Sequence, residues 1–181
     1  MRRFLAVLWT VGFASGVPAH ATASNWELQL PGMSQHFEKP RKRGAEWNQY
    51  HEGMGLQRTI DVDRNRLDGG WVLRYSGGFM LDSYGNESGY LGAGLAWRRR
   101  STIFDVDAGV APMLLYRTTR FDDPRRGPAP LRLIPAMLPT LSVEHRQSGI
   151  GANIILVPAM DLGRDFRMPG LAFVQFTRKL E

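Results

Sequence analysis

The pair Asp82-Ser83 and the histidines are the residues of this chain whose types suit acid–base chemistry. A histidine is a good general base near neutral pH. A serine acts as a nucleophile or as a donor to an ester oxygen, and an aspartate orients the imidazole or stabilises its protonated form. These individual roles stay open, because an adjacent Asp and Ser need not place a His between them. The sequence Asp82-Ser83-Tyr84-Gly85 is also typical of a tight turn, because Asp and Ser side chains bond nearby backbone amides.

Small and bulky residues alternate around this pair, and the same alternation recurs along the chain. Such period-2 runs bounded by turn signals predict eight strands and no long helix. The predicted strands are roughly 26–36, 52–62, 70–82, 88–98, 103–117, 131–146, 149–159 and 170–179. Most of them have the ~9–11 residues that a tilted strand needs to cross a bilayer.

The links between these strands alternate in length. The short ones are DRNRLDG, RRST and QSG, and three of the other four links are long. An even number of strands, with tight turns on one side and longer loops on the other, is typical of outer-membrane proteins. The prediction is an all-β fold: an eight-stranded antiparallel up-and-down transmembrane β-barrel. A soluble barrel of lipocalin type is the alternative, but it does not need apolar faces pointing outward on successive strands.

The N-terminus is typical of a secretory signal peptide. Two arginines precede the apolar stretch FLAVLWTVGFASGV, and AHATA then supplies small residues with A-x-A spacing. We expect cleavage after Ala21 or Ala23, so that residues 1–23 are the signal peptide and residues 24–181 are the barrel. A membrane anchor is the alternative, but the apolar stretch is short for one. Export and the barrel pattern together predict the bacterial outer membrane.

The composition excludes several classes of protein. The chain has 181 residues, 23 basic against 17 acidic, and loss of the two signal-peptide arginines leaves 21 against 17, a net charge of +4. That charge is too low to indicate a nucleic-acid partner. No cysteine is present, so a core or a closed hydrogen-bond network must stabilise the fold. The histidines lack the spacing of metal ligands and no nucleotide fingerprint occurs, so we expect no metal or other cofactor.

The predicted lumen is polar in its inner half and apolar in its outer half. Arg74, Asp105, Asp107 and Glu144 can pair in the inner half. An apolar space that opens outward suits a hydrocarbon chain, and simple packing of the side chains against one another is the alternative. The predicted substrate-binding residues are Gly78, Met80, Ala111, Met113, Leu138 and Phe173.

Four prolines fall in the outer half of the predicted barrel: Pro112, Pro135, Pro139 and Pro158. Proline removes a donor from the sheet ladder, so it belongs at edges, strand ends or bulges. The prolines therefore predict local gaps in the wall, through which a lipid can enter sideways. Pro112 and Pro158 are also consistent with simply shaping the ends of strands.

Three stretches resemble the lipid A palmitoyltransferases of the PagP type, which are eight-stranded outer-membrane barrels. FMLDSYGNESGYLGAGLAW resembles the family's Asp-Ser pair, short loop and Gly-rich strand ending in Trp. PLRLIPAMLPTLSVEHRQSGIGANIILVP resembles its Pro- and Leu-rich strand with the following strand. HFEKPRKRGAEWNQYHEGMGLQ resembles its first outer loop, in which a His precedes an Asn and a Gly-rich strand. Unlike that family, the chain shows no N-terminal amphipathic helix.

The resemblance implies transfer of a palmitoyl-like chain from a phospholipid to lipid A by a membrane-embedded monomer. By position in the motifs it implies His36, Asp82 and Ser83 as catalytic residues, with His51 as the competing histidine. Basic residues in the loops would face lipid A phosphates. They are Lys39, Arg41, Lys42, Arg43, Arg125 and Arg126. A non-enzymatic structural or adhesion barrel and a phospholipase-like hydrolase remain the alternatives.

Overall fold

The computed structural model describes residues 24–40, 44–62, 68–118, 127–161 and 167–180. They form a closed barrel of eight long antiparallel strands. No described residue belongs to a helix that is long and apolar enough to span a membrane. The predicted signal peptide lies outside the described residues, as do five of the predicted loop cations, Arg41, Lys42, Arg43, Arg125 and Arg126.

All eight predicted strands are confirmed, with ends that differ by a few residues. The long strands are β1 (Ser24–His36), β3 (Gly53–Asp61), β4 (Gly69–Leu81), β5 (Glu87–Arg100), β6 (Phe104–Thr118), β7 (Leu131–His145), β8 (Ile150–Val157) and β11 (Leu171–Leu180). Three two-residue strands were not predicted: β2 (Tyr50–His51), β9 (Met160–Asp161) and β10 (Arg167–Met168). Consecutive long strands pair in order, and β11 pairs with β1 to close the barrel.

The barrel has two ends that differ in structure. We call the end that carries the turn between β4 and β5 the rim, and the other the base. At the rim lie the last residues of β1, β4 and β6 and the first residues of β5, β7 and β11. β2 also lies there, because it pairs with the second half of β1 at Gly32 and Met33.

The alternating faces predicted from the sequence are confirmed. In β6, Asp107 and Met113 are buried inside the barrel, whereas Val106 and Leu114 are exposed on its outer surface. This follows from the pleat, which sends successive side chains to opposite sides of a sheet. A barrel of eight strands encloses a lumen that side chains can just fill. The residue choice on the inner face therefore decides whether any space is left.

Charged side chains fill the lumen near the base. Asp107 accepts hydrogen bonds from Nε and Nη2 of Arg98 at 2.7 and 2.8 Å and also from Arg74. Arg74 donates a second bond to Ser142 Oγ at 2.6 Å. The predicted pairing of Arg74 with Asp107 is confirmed. The sequence analysis did not single out Arg98, although its position in β5 puts it on the lumen face.

A network of uncharged groups around Glu27 continues this layer toward the middle of the barrel. The Glu27 carboxylate accepts bonds from Gln57 Nε2 at 3.0 Å and Thr59 Oγ1 at 2.9 Å. Gln29 donates to Gln57 at 3.1 Å, and the Tyr90 hydroxyl donates to Gln29 at 2.7 Å. These bonds satisfy groups that would be costly to bury alone. Tyr90 marks the upper edge of the polar layer, which separates the base from the rim half of the lumen.

The prolines interrupt the wall near the rim, as predicted. The ladder between β7 and β8 runs from the base only as far as the pair Thr140 and Ile155. The rim half of β7, from Leu131 to Pro139, has no partner in β8. The β5–β6 ladder also skips two residues on each strand next to Pro112. Because proline lacks an amide hydrogen, it cannot restore these bonds.

Replacing Asp107 with asparagine tests the charged layer. Asparagine removes the negative charge between two largely buried guanidinium groups, so we expect the free energy of unfolding to fall by about 3 kcal/mol. Urea unfolding of the refolded barrel, followed by tryptophan fluorescence, measures the change. Asp68→Asn is the matched control, because Asp68 is exposed at the base. Equal stability of both variants would show that the layer does not stabilise the barrel.

Candidate functional site

An apolar cavity occupies the lumen between the polar layer and the rim. Its volume of about 90 Å³ exceeds the ~10–15 Å³ that one water needs, so side chains do not fill this half. The apolar lining comes from β4, β6, β7, β8 and β11. It includes Met80, Ala111, Met113, Leu115, Leu138, Ile155, Val157, Leu171 and Phe173.

Five of the six residues predicted to bind substrate line this cavity, and Gly78 does not. The hydroxyl of Tyr90 lies 2.6 Å from the place where a Cβ of Gly78 would stand. Gly78 therefore allows the tyrosine to approach the wall instead of widening the cavity. The structure places Gly78 at the level of the polar layer.

Polar residues surround the cavity where it reaches the rim. Asp82 and Ser83 line it, with only 2% and 1% of their surfaces exposed. His51 and Arg117 line it as well and are also buried. The Asp-Ser pair directly follows β4, His51 lies in β2, and Arg117 lies in β6. A buried carboxylate, serine, imidazole and guanidinium thus meet above an apolar pocket.

The Asp82 carboxylate holds the turn after β4. Its Oδ1 accepts hydrogen bonds from the backbone amides of Tyr84 and Asn86 at 2.9 and 3.0 Å. Its Oδ2 accepts from the amide and hydroxyl of Thr118 at 3.2 and 2.7 Å. The turn role considered from the sequence is therefore present in the structure. Asp82 fastens β4 to the end of β6, and none of its hydrogen bonds among the described residues comes from a histidine.

His36 lies at the rim, at the end of β1, but is not among the cavity-lining residues. Its ring stacks on Trp47 with centroids 4.6 Å apart and planes 12° apart. The side chain is buried, and neither Nδ1 nor Nε2 has a hydrogen-bond partner among the described residues. Buried imidazole nitrogens are normally satisfied. The ring is held by stacking, and its two unused nitrogens are enclosed, so a substrate must displace neighbouring rim residues to reach them.

The segment Trp47-Asn48 joins His36 to the Asp-Ser pair. Trp47 carries the stacked ring of His36, and the amide of Asn48 donates to the carbonyl of Ser83 at 3.0 Å. The Asn48 side chain donates to the carbonyl of Asp82 at 3.1 Å. The structure therefore brings the three predicted catalytic residues to one end of the barrel. The sequence analysis noted Asn48 in the loop motif but assigned Trp47 no role.

His51 has two partners that fix its ring. Nδ1 lies 2.7 Å from the carbonyl of Leu81, which can only accept, so Nδ1 carries the proton. In the neutral ring Nε2 then accepts from Ser34 Oγ at 2.7 Å. A serine hydroxyl bonded to an oriented imidazole is the arrangement that activates a nucleophile. Ser34 was not predicted as a functional residue, although it shares the lumen face of β1 with His36.

Aromatic rings and one cation close the rim. The rings of Trp47 and Tyr84 meet edge to face with centroids 5.3 Å apart. The Arg117 guanidinium lies over the Tyr84 ring, 5.8 Å from its centroid. Burial raises the pKa of the Tyr84 phenol, which the Arg117 charge only partly offsets, so Tyr84 is neutral at physiological pH. Arg117 was missed from the sequence, although a basic residue after the apolar Ala111, Met113 and Leu115 on the lumen face of β6 was a visible signal.

The described residues include no cluster of three or more potential metal ligands. No protein-family model matches this chain, and no curated protein matches it either. The relationship to the PagP-type palmitoyltransferases therefore stays a prediction from the sequence motifs.

Replacing Asp82 with asparagine tests its role in the turn. The amide group would point a donor at groups that are themselves donors, so we expect at least one of the four bonds to be lost. The expected cost is about 1–3 kcal/mol of unfolding free energy. Faster hydrogen exchange of the Tyr84 and Asn86 amides would measure the loosening. Ser83→Ala is the control, because only the backbone carbonyl of Ser83 bonds Asn48. Unchanged exchange in the Asp82 variant would contradict the role.

Proposed function

We propose that this protein is an outer-membrane acyltransferase that moves a palmitoyl-like chain from a phospholipid to lipid A. The observation that carries the proposal is the apolar cavity that ends at buried Asp82 and Ser83, with His36 at the same rim. An apolar pocket with a few convergent polar groups is the usual form of a site for a lipid-like substrate. The phospholipid donor and the lipid A acceptor are inferred from the resemblance of the sequence motifs to PagP-type palmitoyltransferases.

The depth of the cavity supports a single acyl chain. Above the charged Arg74, its lining runs from Ser76 in β4 to Asp82 just after the strand, which is about 20 Å along the chain at ~3.3 Å per residue. A tilt of about 45° reduces this to a depth of ~14 Å, close to the ~15 Å of one leaflet's hydrocarbon. The length of the lined wall therefore matches that of an acyl chain spanning one leaflet.

The outer surface supports insertion in a membrane. Large apolar side chains are exposed along most of the long strands, including Leu91, Leu95, Val110, Leu114, Leu133 and Met137. Trp26, Trp71 and Trp97 are exposed near the base, as an aromatic girdle requires. A soluble protein rarely exposes such continuous apolar surface. With the predicted signal peptide, this favours the bacterial outer membrane, with the rim facing outward.

The half of β7 that has no partner in β8 supports entry of the donor from the side. A phospholipid in the outer leaflet would pass its acyl chain between β7 and β8, where the ladder stops at Thr140. Its headgroup would stay at the rim during this movement. The chain then enters an apolar cavity without crossing the charged layer around Asp107.

The rim residues supply the chemistry of the transfer. His36 takes the proton of a lipid A hydroxyl, whose oxygen then bonds to the acyl carbon of the donor ester. The bond from that carbon to the glycerol oxygen breaks, and the proton passes to the glycerol oxygen, which leaves a lysophospholipid. Ser83 donates to the ester oxygen as negative charge develops there. The two unused nitrogens of His36 suit this role.

Mass spectrometry of lipid A tests the transfer. We expect cells that make the protein to contain lipid A with one additional acyl chain. The His36→Ala and Ser83→Ala variants should lose most of it, by about 100-fold or more for the general base. Folded protein with unmodified lipid A in the outer membrane would instead support the structural or adhesion barrel.

A pair of alanine variants tests whether the acyl chain occupies the cavity. Ala111→Leu fills the middle of the cavity, so we expect it to favour shorter acyl chains or to reduce transfer at least tenfold. Ala108→Leu is the matched control, because Ala108 lies on the same strand but faces outward. Acyl-chain lengths in modified lipid A give the readout. Identical products from both variants would place the acyl chain elsewhere.

Hydrolysis is a second candidate function, and the bond from Ser34 to His51 favours it. Attack by Ser34 on a phospholipid ester would give an acyl-serine, with its proton held on His51 until the leaving glycerol oxygen takes it. Water would then release a fatty acid. Free fatty acid that is lost in Ser34→Ala but kept in Ser83→Ala would identify this activity.

A further inference from the structure

Arg117 is a buried cation that the fold leaves incompletely satisfied. Only 8% of its surface is exposed, and its Nη2 has no hydrogen-bond partner among the described residues. Nε donates a long bond of 3.4 Å to the carbonyl of Thr118. A buried charge is normally paired, because removing it from water is costly. The free Nη2 belongs to a residue that lines the cavity where it meets the rim.

The Asp82 carboxylate does not form an ion pair with this cation. Asp82 also lines the cavity, but its two oxygens already accept four hydrogen bonds from Tyr84, Asn86 and Thr118. Among the described residues Arg117 forms no ion pair, whereas near the base Arg74 pairs with Asp107 and Arg98 pairs with both Asp107 and Asp61. In the described part of the chain, the lumen arginines near the base thus have carboxylate partners, whereas Arg117 near the rim has none.

The surroundings of Arg117 hold its guanidinium in place. The Tyr84 ring lies beneath it at 5.8 Å, and Tyr84 itself is held by the turn that Asp82 caps. A cation over an aromatic face keeps its N–H groups free for in-plane hydrogen bonds. The guanidinium is therefore pre-organised to bind an anionic oxygen that enters from the cavity or the rim.

We propose that Arg117 binds the phosphodiester of the lipid whose acyl chain occupies the cavity. A phosphodiester lies a few bonds from the glycerol ester, so it would stand at the rim when the chain points toward the polar layer. It supplies negatively charged oxygens, which the planar guanidinium binds well. The proposal rests on the proposed function for the type of lipid, and it names the residue that selects the donor headgroup.

Calorimetric titration of the folded barrel in dodecyl maltoside measures this preference without requiring acyl transfer. The probes are hexadecylphosphocholine, which has a phosphodiester, the neutral hexadecyl maltoside, and palmitate, which has a carboxylate. We expect the native protein to prefer the phosphodiester probe to the neutral probe by about tenfold or more. Arg117→Gln should lose that preference, and Arg117→Lys should retain part of it.

Arg99→Gln is the matched control, because it removes the same charge from an exposed position near the base. It should leave all three affinities unchanged. Heat-dependent gel mobility shows whether each variant is folded, and Arg117→Lys replaces Arg117→Gln in the comparison should the latter not fold.

An unchanged preference for the phosphodiester probe in the folded Arg117 variant would overturn the proposal. The proposal would also be overturned if the Arg117 substitutions weakened binding of palmitate but not of the phosphodiester probe. That result would indicate a site for a fatty-acid product. A retained preference in a protein that does not modify lipid A would support phospholipid binding and reject only the transferase. The two proposals therefore fail in distinguishable ways.

Discussion

Closure of the sheet between β1 and β11 is the constraint on which the rest of the structure depends. A sheet of eight strands has no free edges once closed, and every side chain must then face either the lumen or the outer surface. The pairing of His36 with Leu171 and of Ser34 with Phe173 belongs to this closing ladder. It brings the first and last strands together and so places residues of β1 beside the cavity wall formed by β11.

The narrow lumen makes the charged layer near the base both possible and necessary. Asp107 pairs with Arg74 and Arg98 at a place where little water remains, and Asp61 also pairs with Arg98. The network that reaches Tyr90 satisfies the uncharged groups above this layer. Between the polar layer and the rim, apolar side chains do not fill the lumen completely, and the remaining space is the cavity. The polar layer thus stabilises the barrel and also sets the depth to which an apolar ligand can enter.

At the rim, residues that hold the fold together also form the site. Asp82 caps the turn after β4 and fastens it to Thr118, which fixes Ser83 and Tyr84 at the mouth of the cavity. Trp47 supports His36 by stacking, and neighbouring Asn48 bonds the backbone of Ser83. A substitution at Asp82 or Trp47 therefore affects the fold and the site together. His36 and Arg117 differ from the others in having side-chain nitrogens without partners in the described part of the chain.

The sequence by itself determined the eight strands, their two faces, the polar and apolar halves of the lumen and the gaps at the prolines. These features repeat every second residue or depend on one residue type, so local pattern reveals them. Only the tertiary structure decided that His51 bonds Ser34, that Gly78 admits the Tyr90 hydroxyl, and that Arg117 is open while Arg98 is paired. Those contacts join side chains of different strands and depend on register and ring orientation. Alternation along one strand cannot specify which side chain of another strand will stand opposite.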